Sequence, residues 1–325
     1  MLNFQRFQAQ FMALTILAFP VAGLALDEVE NQAADEYTAT GSDKTLDQLA
    51  SEMSNPLAAF TSFGYQLEYR TYQGDLQGAS DQTSIAHDFQ TVIPFAQKDG
   101  QGFVLRMSLP YVADLPIYRT TIGYSEVGFP EWKMRQIDPT VYGPGYWEST
   151  HGHTGDLTTD LVYGGVDDNG FILMYGLAGR WPTSSDTSNA RQQLVLGPDI
   201  NIGRIADWGT YGALVSHVID VAEKKDKGSP DTTITTIDAY FSYALNNGWQ
   251  LYSSPSISYD WEGDSGNKLA IPLGGGFAKT TRIGKMPLRF SAEIQKFVVS
   301  TDRFSSDWFF KFSITPVLAN KYTRN

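Results

Sequence analysis

The chain has no cysteine. That excludes disulfide staples, thiolate metal sites and thiol nucleophiles. Basic residues are in short supply: 24 Lys and Arg stand against 36 Asp and Glu, a formal charge of −12. That balance argues against a nucleic-acid partner, and none is expected. Long apolar runs are also missing. Beyond the N-terminus no stretch approaches the ~18 continuous apolar residues of a helical membrane span. What the chain has in quantity is aromatic side chains, with 19 Phe, 17 Tyr and 7 Trp.

The first residues read as an export signal. Arg6 supplies a positive start, 11–22 is a short apolar stretch, and Gly23 and Ala25 are small residues placed for cleavage before Leu26. Residues 1–25 are therefore expected to be a signal peptide. Residues 26–57 are expected to form a periplasmic segment with one short helix. Leu46, Leu49 and Met53 fall on one helical face, Ser42, Asp43 or Thr45 can cap it, and Pro56 ends it. Whether that helix enters a barrel mouth or lies outside at the rim is left open by the pattern.

From there the period is two. Tyr65, Leu67 and Tyr69 oppose Gln66, Glu68 and Arg70. Near the C-terminus Trp308, Phe310, Phe312, Ile314 and Leu318 oppose Lys311, Ser313 and Thr315. Strict alternation places the two sets on opposite faces of a strand. Twelve such segments are legible, at 63–72, 84–95, 103–111, 157–166, 170–181, 192–204, 210–221, 233–245, 249–260, 269–279, 288–299 and 308–318. Each is about ten residues, the length of a tilted strand across a bilayer. Short connections such as 167–169 and 246–248 alternate with longer polar ones such as 182–190 and 223–231. That alternation and the even count predict an all-β fold, a transmembrane antiparallel β-barrel of twelve strands over 58–318, with a tail at 319–325. The strand-end aromatics Trp181, Trp208, Trp249, Tyr259, Trp261 and Trp308 are expected in interfacial girdles.

The polar parity supplies the lumen candidates: Glu68, Arg70, Asp88, Arg106, Asp160, Arg180, Asp199, Arg204, Asp238, Asp260, Arg289, Glu293 and Lys311. They read either as a selectivity lining or as a salt-bridge network that braces a narrow barrel. The longest interruption, 112–155, is expected to be an extracellular loop without regular structure. It carries the ligand-contact candidates Tyr118, Tyr124, Phe129, Trp132, Tyr146 and Trp147. His151-Gly152-His153 is a weak metal signal, and no metal is expected. Gly274-Gly275-Gly276 lacks the lysine and helix of a phosphate loop. No His and Ser are spaced for a readable nucleophilic site, so no catalytic residue and no cofactor are expected.

From 211 onward the motifs resemble a known family. Gly248-Trp249, Pro255, Trp261, Pro272-Leu273-Gly274, Gly276, Ile283-Gly284-Lys285, Pro287 and Asp307-Trp308 are similar to the C-terminal pattern of the outer-membrane family named for the MetA pathway of phenol degradation. The stretch 54–60 resembles that family's barrel start, and the resemblance spans 46–318. The chain departs from the pattern in running on past its last strand and in the length of 112–155. The resemblance implies an exported Gram-negative outer-membrane channel, not an enzyme. It implies passive passage of small hydrophobic or aromatic compounds. The expected partners are outer-membrane lipid, the solute and the barrel-assembly machinery. The alternatives are a closed structural or surface-interaction barrel and a lipid-active barrel enzyme.

Overall fold

The structure, a computed structural model, describes residues 45–53, 60–96, 100–120, 145–186, 193–223, 231–284 and 286–319. The expected signal peptide and the tail after 319 lie outside these residues. Helix α1 (Leu46–Glu52) comes first. The strands that follow are β1 (Phe60–Gln73), β2 (Thr83–Ala96), β3 (Gln101–Thr120), β4 (Gly145–Thr150), β5 (His153–Thr154), β6 (Leu157–Val166), β7 (Phe171–Trp181), β8 (Gln193–Ala206), β9 (Gly209–Glu223), β10 (Thr233–Ala244), β11 (Trp249–Ser253), β12 (Ser256–Asp260), β13 (Leu269–Ile283), β14 (Met286–Val299) and β15 (Ser305–Ala319).

Neighbours in the chain are neighbours in the sheet, and all pairings are antiparallel. The last strand returns to the first, from Phe60 opposite Ala319 to Gln73 opposite Ser305. The two pieces β11 and β12 share one place between β10 and β13. The result is a closed barrel of twelve strand positions. Closure leaves no edge, which a membrane interior requires.

The burial is inverted relative to a water-soluble protein. The outward parity is apolar and open: Leu177 is 62% exposed, Tyr175 58% and Phe277 56%. The buried positions include polar side chains that face inward, among them Asp199, Gln250, Thr280 and Gln295. Aromatics gather at both ends of this outer face. At the end with short turns, which is periplasmic by the rule for such barrels, Trp208 stacks on Tyr211 at 5.5 Å and packs against Phe241 and Tyr243. At the other end Trp261 packs on Tyr259, and its Nε1 donates to Thr235. The turns are built locally. In 167–170 the Asp167 carboxylate accepts from the backbone N–H of Asn169 and Phe171, and Gly170 takes the left-handed φ of 77° that closes the loop.

Three boundaries differ from the sequence reading. The stretch 112–155 is not all loop. β3 continues to Thr120 and pairs with β4 and β5, a hairpin that rises beyond the barrel wall. Residues 121–144 lie outside the described residues. The ninth segment is two strands, broken at Ser254-Pro255, where proline has no N–H to give the ladder. Several strands also run further into the long loops than their alternation showed.

Helix α1 forms where Thr45 caps it reciprocally with Gln48. It lies inside the short-turn mouth, against the inward faces of β10, β11 and β13. Leu49 is fully buried there and Ala50 nearly so. The Gly248 N–H donates to the Asp47 carboxylate, and a side chain at Gly248 would meet Leu46 at 3.1 Å.

The face assignment has a direct test. Replacing the outward Leu177 by Arg should lower the free energy of folding into lipid vesicles by about 2–4 kcal/mol, the cost of a cation near the bilayer midplane. Ser216→Arg, on the inward face beside Asp199, should cost far less. Equal costs in urea titrations would show that the two faces are wrongly assigned.

Candidate functional site in the barrel lumen

The inward parity of the strands encloses a cavity of about 690 Å³. Six of the predicted lining residues border it: Glu68, Arg70, Arg106, Asp160, Asp238 and Lys311. A second cavity of about 290 Å³ continues toward the short-turn mouth, bordered by Arg289 and again by Lys311. Gln66, Tyr240, Ser254 and Lys311 belong to both, so the two are contiguous.

The charges are organised by cross-strand register. On β14 and β15, Glu293 stands opposite Lys311, and the Lys311 Nζ lies 3.0 Å from the carboxylate. Glu293 is fully shielded from solvent and accepts four donors. The Ser254 N–H and hydroxyl are each at 2.7 Å, Gln295 Nε2 is at 2.8 Å, and Lys311 is the fourth. Lys311 also donates to the Ser254 hydroxyl at 2.6 Å. Ser254 is the break between β11 and β12, so the carboxylate satisfies a backbone N–H that the ladder has lost.

Across the lumen Arg106 of β3 faces Asp160 of β6, with Nε at 2.7 Å from the carboxylate, and its Nη2 reaches Asp238 of β10 at 3.6 Å. Arg70 pairs with Glu68 at 3.2 Å on its own strand and covers the Phe309 ring at 4.1 Å. Asp88 accepts from Ser108 at 2.5 Å and Gln90 at 2.7 Å. Asp199 is fully buried and lies against the carboxyl group of Asp160. Arg180, at the long-loop end of β7, has Nε and Nη2 without a hydrogen-bond partner among the described residues. The guanidinium of Arg289 lies 5.7 Å above the Tyr252 ring. Asp260 is buried and accepts from the Glu262 N–H.

Arg204 is a correction. It lies an odd number of residues from Asp199 and is exposed on the outward parity, opposite Tyr211 and beside the 167–170 turn. It does not line the lumen. The Asp167 carboxyl in that turn is held below its ordinary range, chiefly by the N–H of Phe171, with Arg204 assisting.

The loop candidates separate. Tyr118 and Trp147 pack edge to face at 5.1 Å, and Trp147 continues onto Phe304 at 4.7 Å, which stacks on Tyr72 at 4.4 Å. The Trp147 Nε1 donates to the Gln77 carbonyl. This aromatic cluster ties the β3–β4 hairpin to the β1–β2 and β14–β15 loops. Tyr146 is open to solvent. Tyr124, Phe129 and Trp132 lie outside the described residues. His151 faces Asp114 at 3.4 Å while His153 faces Asp186 at 3.8 Å, so the two imidazoles do not converge. His87 and His217 meet Tyr65 Oη at 2.8 Å and Thr235 Oγ1 at 2.9 Å. Ser254, Gln295, Asn201 and Tyr240 complete the lumen. Their only sequence signal is inward parity.

No family model matches the chain, and no curated protein matches it. Among solved structures, it is similar to an outer-membrane channel from Pseudomonas putida F1, with a TM-score of 0.52 and 11% identity over 79% of this chain and 95% of that one. The NanC porin aligns at a TM-score of 0.42 and 9% identity, over 79% and 98%. The P. putida toluene transporter TodX aligns at 0.34 and 10%, over 84% and 94%. At these identities the first match establishes the fold class, a transmembrane β-barrel of the outer-membrane kind.

The Glu293 junction predicts a large and specific defect. Glu293→Ala leaves the Ser254 N–H and a buried Lys311 without their acceptor, and should cost about 3–5 kcal/mol in chemical unfolding. Removing the stranded cation as well, in Glu293→Ala with Lys311→Met, should recover part of that loss. A double variant no more stable than the single would show that the cation is not what makes Glu293→Ala costly.

Proposed function

We propose that this chain is an outer-membrane channel for passive diffusion of small compounds with an apolar or aromatic body. The observation that carries the reading is the pair of contiguous lumen cavities. They run from Thr301 and Ser305 at the long-loop end to Thr210 and Thr315 near the short-turn mouth. Their walls are mixed, with Val92, Val104, Val162, Met174 and Leu214 beside the charged groups. Such a lining offers both a dry surface for an apolar solute and polar sites that let it leave. The similarity to a solved outer-membrane channel agrees with this reading, as does the sequence resemblance to the phenol-pathway family. An exported, lipid-faced barrel of this kind belongs in the outer membrane of a Gram-negative cell.

The second reading, a closed barrel, is favoured by one feature: α1 occupies the short-turn mouth with Leu49 buried against the wall. Planar-bilayer recordings separate the two. The full-length folded chain should show stable conductance steps, and deletion of 46–52 or of 116–152 should enlarge them. Steps only after deletion of 46–52 would make α1 a closed plug. Silence in all three folded forms would sink the channel reading.

A further inference from the structure

The smaller lumen cavity, toward the short-turn mouth, has cations in its wall and no acid. Its charged lining residues are Arg289 and Lys311, and neither Asp nor Glu borders it. Lys311 is already held by Glu293 at 3.0 Å. Arg289 has no such partner. Among the described residues no carboxylate lies within electrostatic reach of its guanidinium, which stands 5.7 Å above the Tyr252 ring. Its Nε is shielded from solvent and has no hydrogen-bond partner among the described residues. A half-buried cation without a counter-charge is costly, and an anion is what the position lacks.

The register explains why this cation is left over. Arg289 sits opposite Thr315 on β15 and Thr280 on β13, two neutral side chains. The next inward layer, Ser291 opposite Ser313, is neutral as well. Glu293 comes only in the layer after that, opposite Lys311 and already supplied with four donors. On the β10 side, Ser242 pairs across the ladder with Tyr252, the residue whose ring lies under Arg289. The Ser242 side chain also borders the cavity, and its hydroxyl is buried with no hydrogen-bond partner among the described residues. Two donors without acceptors therefore flank Tyr252 in one open space. A guanidinium can only donate, so the missing group is an acceptor.

We propose that Arg289 and the Ser242 hydroxyl receive the carboxylate of a small organic acid in this cavity. The body of the acid lies toward Tyr240, which borders both cavities. The planar guanidinium can meet both carboxylate oxygens at once. One uncompensated positive charge calls for one negative charge, which favours a monocarboxylate over a doubly charged phosphate. At about 290 Å³ the cavity is at the lower end of small-molecule sites, so the acid is small. The inference rests on the channel reading for the route of entry, and it narrows the solutes to monocarboxylic acids.

The test is calorimetric titration of the full-length folded chain, in detergent at neutral pH, with benzoate and with benzyl alcohol as its uncharged match. Benzoate should bind saturably and about tenfold tighter than the alcohol, the size of one charge-assisted hydrogen bond. Arg289→Gln should abolish that advantage and leave the alcohol unchanged. Arg289→Lys keeps the charge without the planar fork and serves if the first variant does not fold. It should weaken benzoate severalfold. Equal affinities for benzoate and benzyl alcohol, no detectable benzoate binding, or benzoate binding untouched in the folded variants would each overturn the assignment. A conducting barrel that ignores benzoate would remove this inference alone. A silent barrel that binds benzoate would remove the channel reading alone.

Discussion

The rest of the structure depends on one constraint: in a bilayer, every backbone N–H and C=O must find its partner within the protein. The pairing of β15 with β1 meets it by closing the ring. Closure then dictates the chemistry of both faces. The outside must be oil-like, and the polar residues the chain carries are driven inward, where water or one another can satisfy them. The one break in the wall shows how strict the requirement is. At Ser254-Pro255 the ladder stops, and the freed N–H is taken by a carboxylate from β14 rather than left in the wall. Glu293 is therefore part of the wall as much as of the lumen. Its partner Lys311 is held by the same arrangement, which removes that cation from general service in the cavity.

Closure also explains what could be read from the sequence. Parity is a local property, so strands, faces and the girdle aromatics were visible in single segments. Arg204 shows the limit of using parity loosely at a strand end. It sits five residues from Asp199, and the period of two by itself puts the pair on opposite faces. The extension of β3 through 112–120 was hidden because Pro110 and Pro116 interrupt the pattern. The pairings in the lumen were not legible at all. Glu293 meets Lys311, and Arg106 meets Asp160, only because strand register aligns them around the ring. Parity says which side chains point inward but not at what height they meet.

The two ends of the barrel are treated differently. At the long-loop end an aromatic cluster of Tyr72, Tyr118, Trp147 and Phe304 fixes the rising hairpin to its neighbours. Two of the residues expected to meet a ligand are thereby committed to packing. At the short-turn end α1 rests on one side of the mouth, held by Leu49 and by the Asp47 contact to Gly248. A seven-residue helix has little stability of its own. Its order derives from docking, so whatever weakens the dock also weakens the helix, and the two change together.

A narrow barrel can fill its interior with side chains or leave a way through, and this lumen divides the two outcomes between its walls. On the side of β14, β15 and β1, long side chains pair and brace. On the side of β6 to β10, Asp160 and Asp238 border the cavity beside Val162, Met174 and Leu214, which leave it open. Gly176 in the same wall answers to the backbone rather than to the lumen: a Cβ there would lie 1.9 Å from the Leu161 carbonyl oxygen, so glycine is what lets β6 and β7 approach.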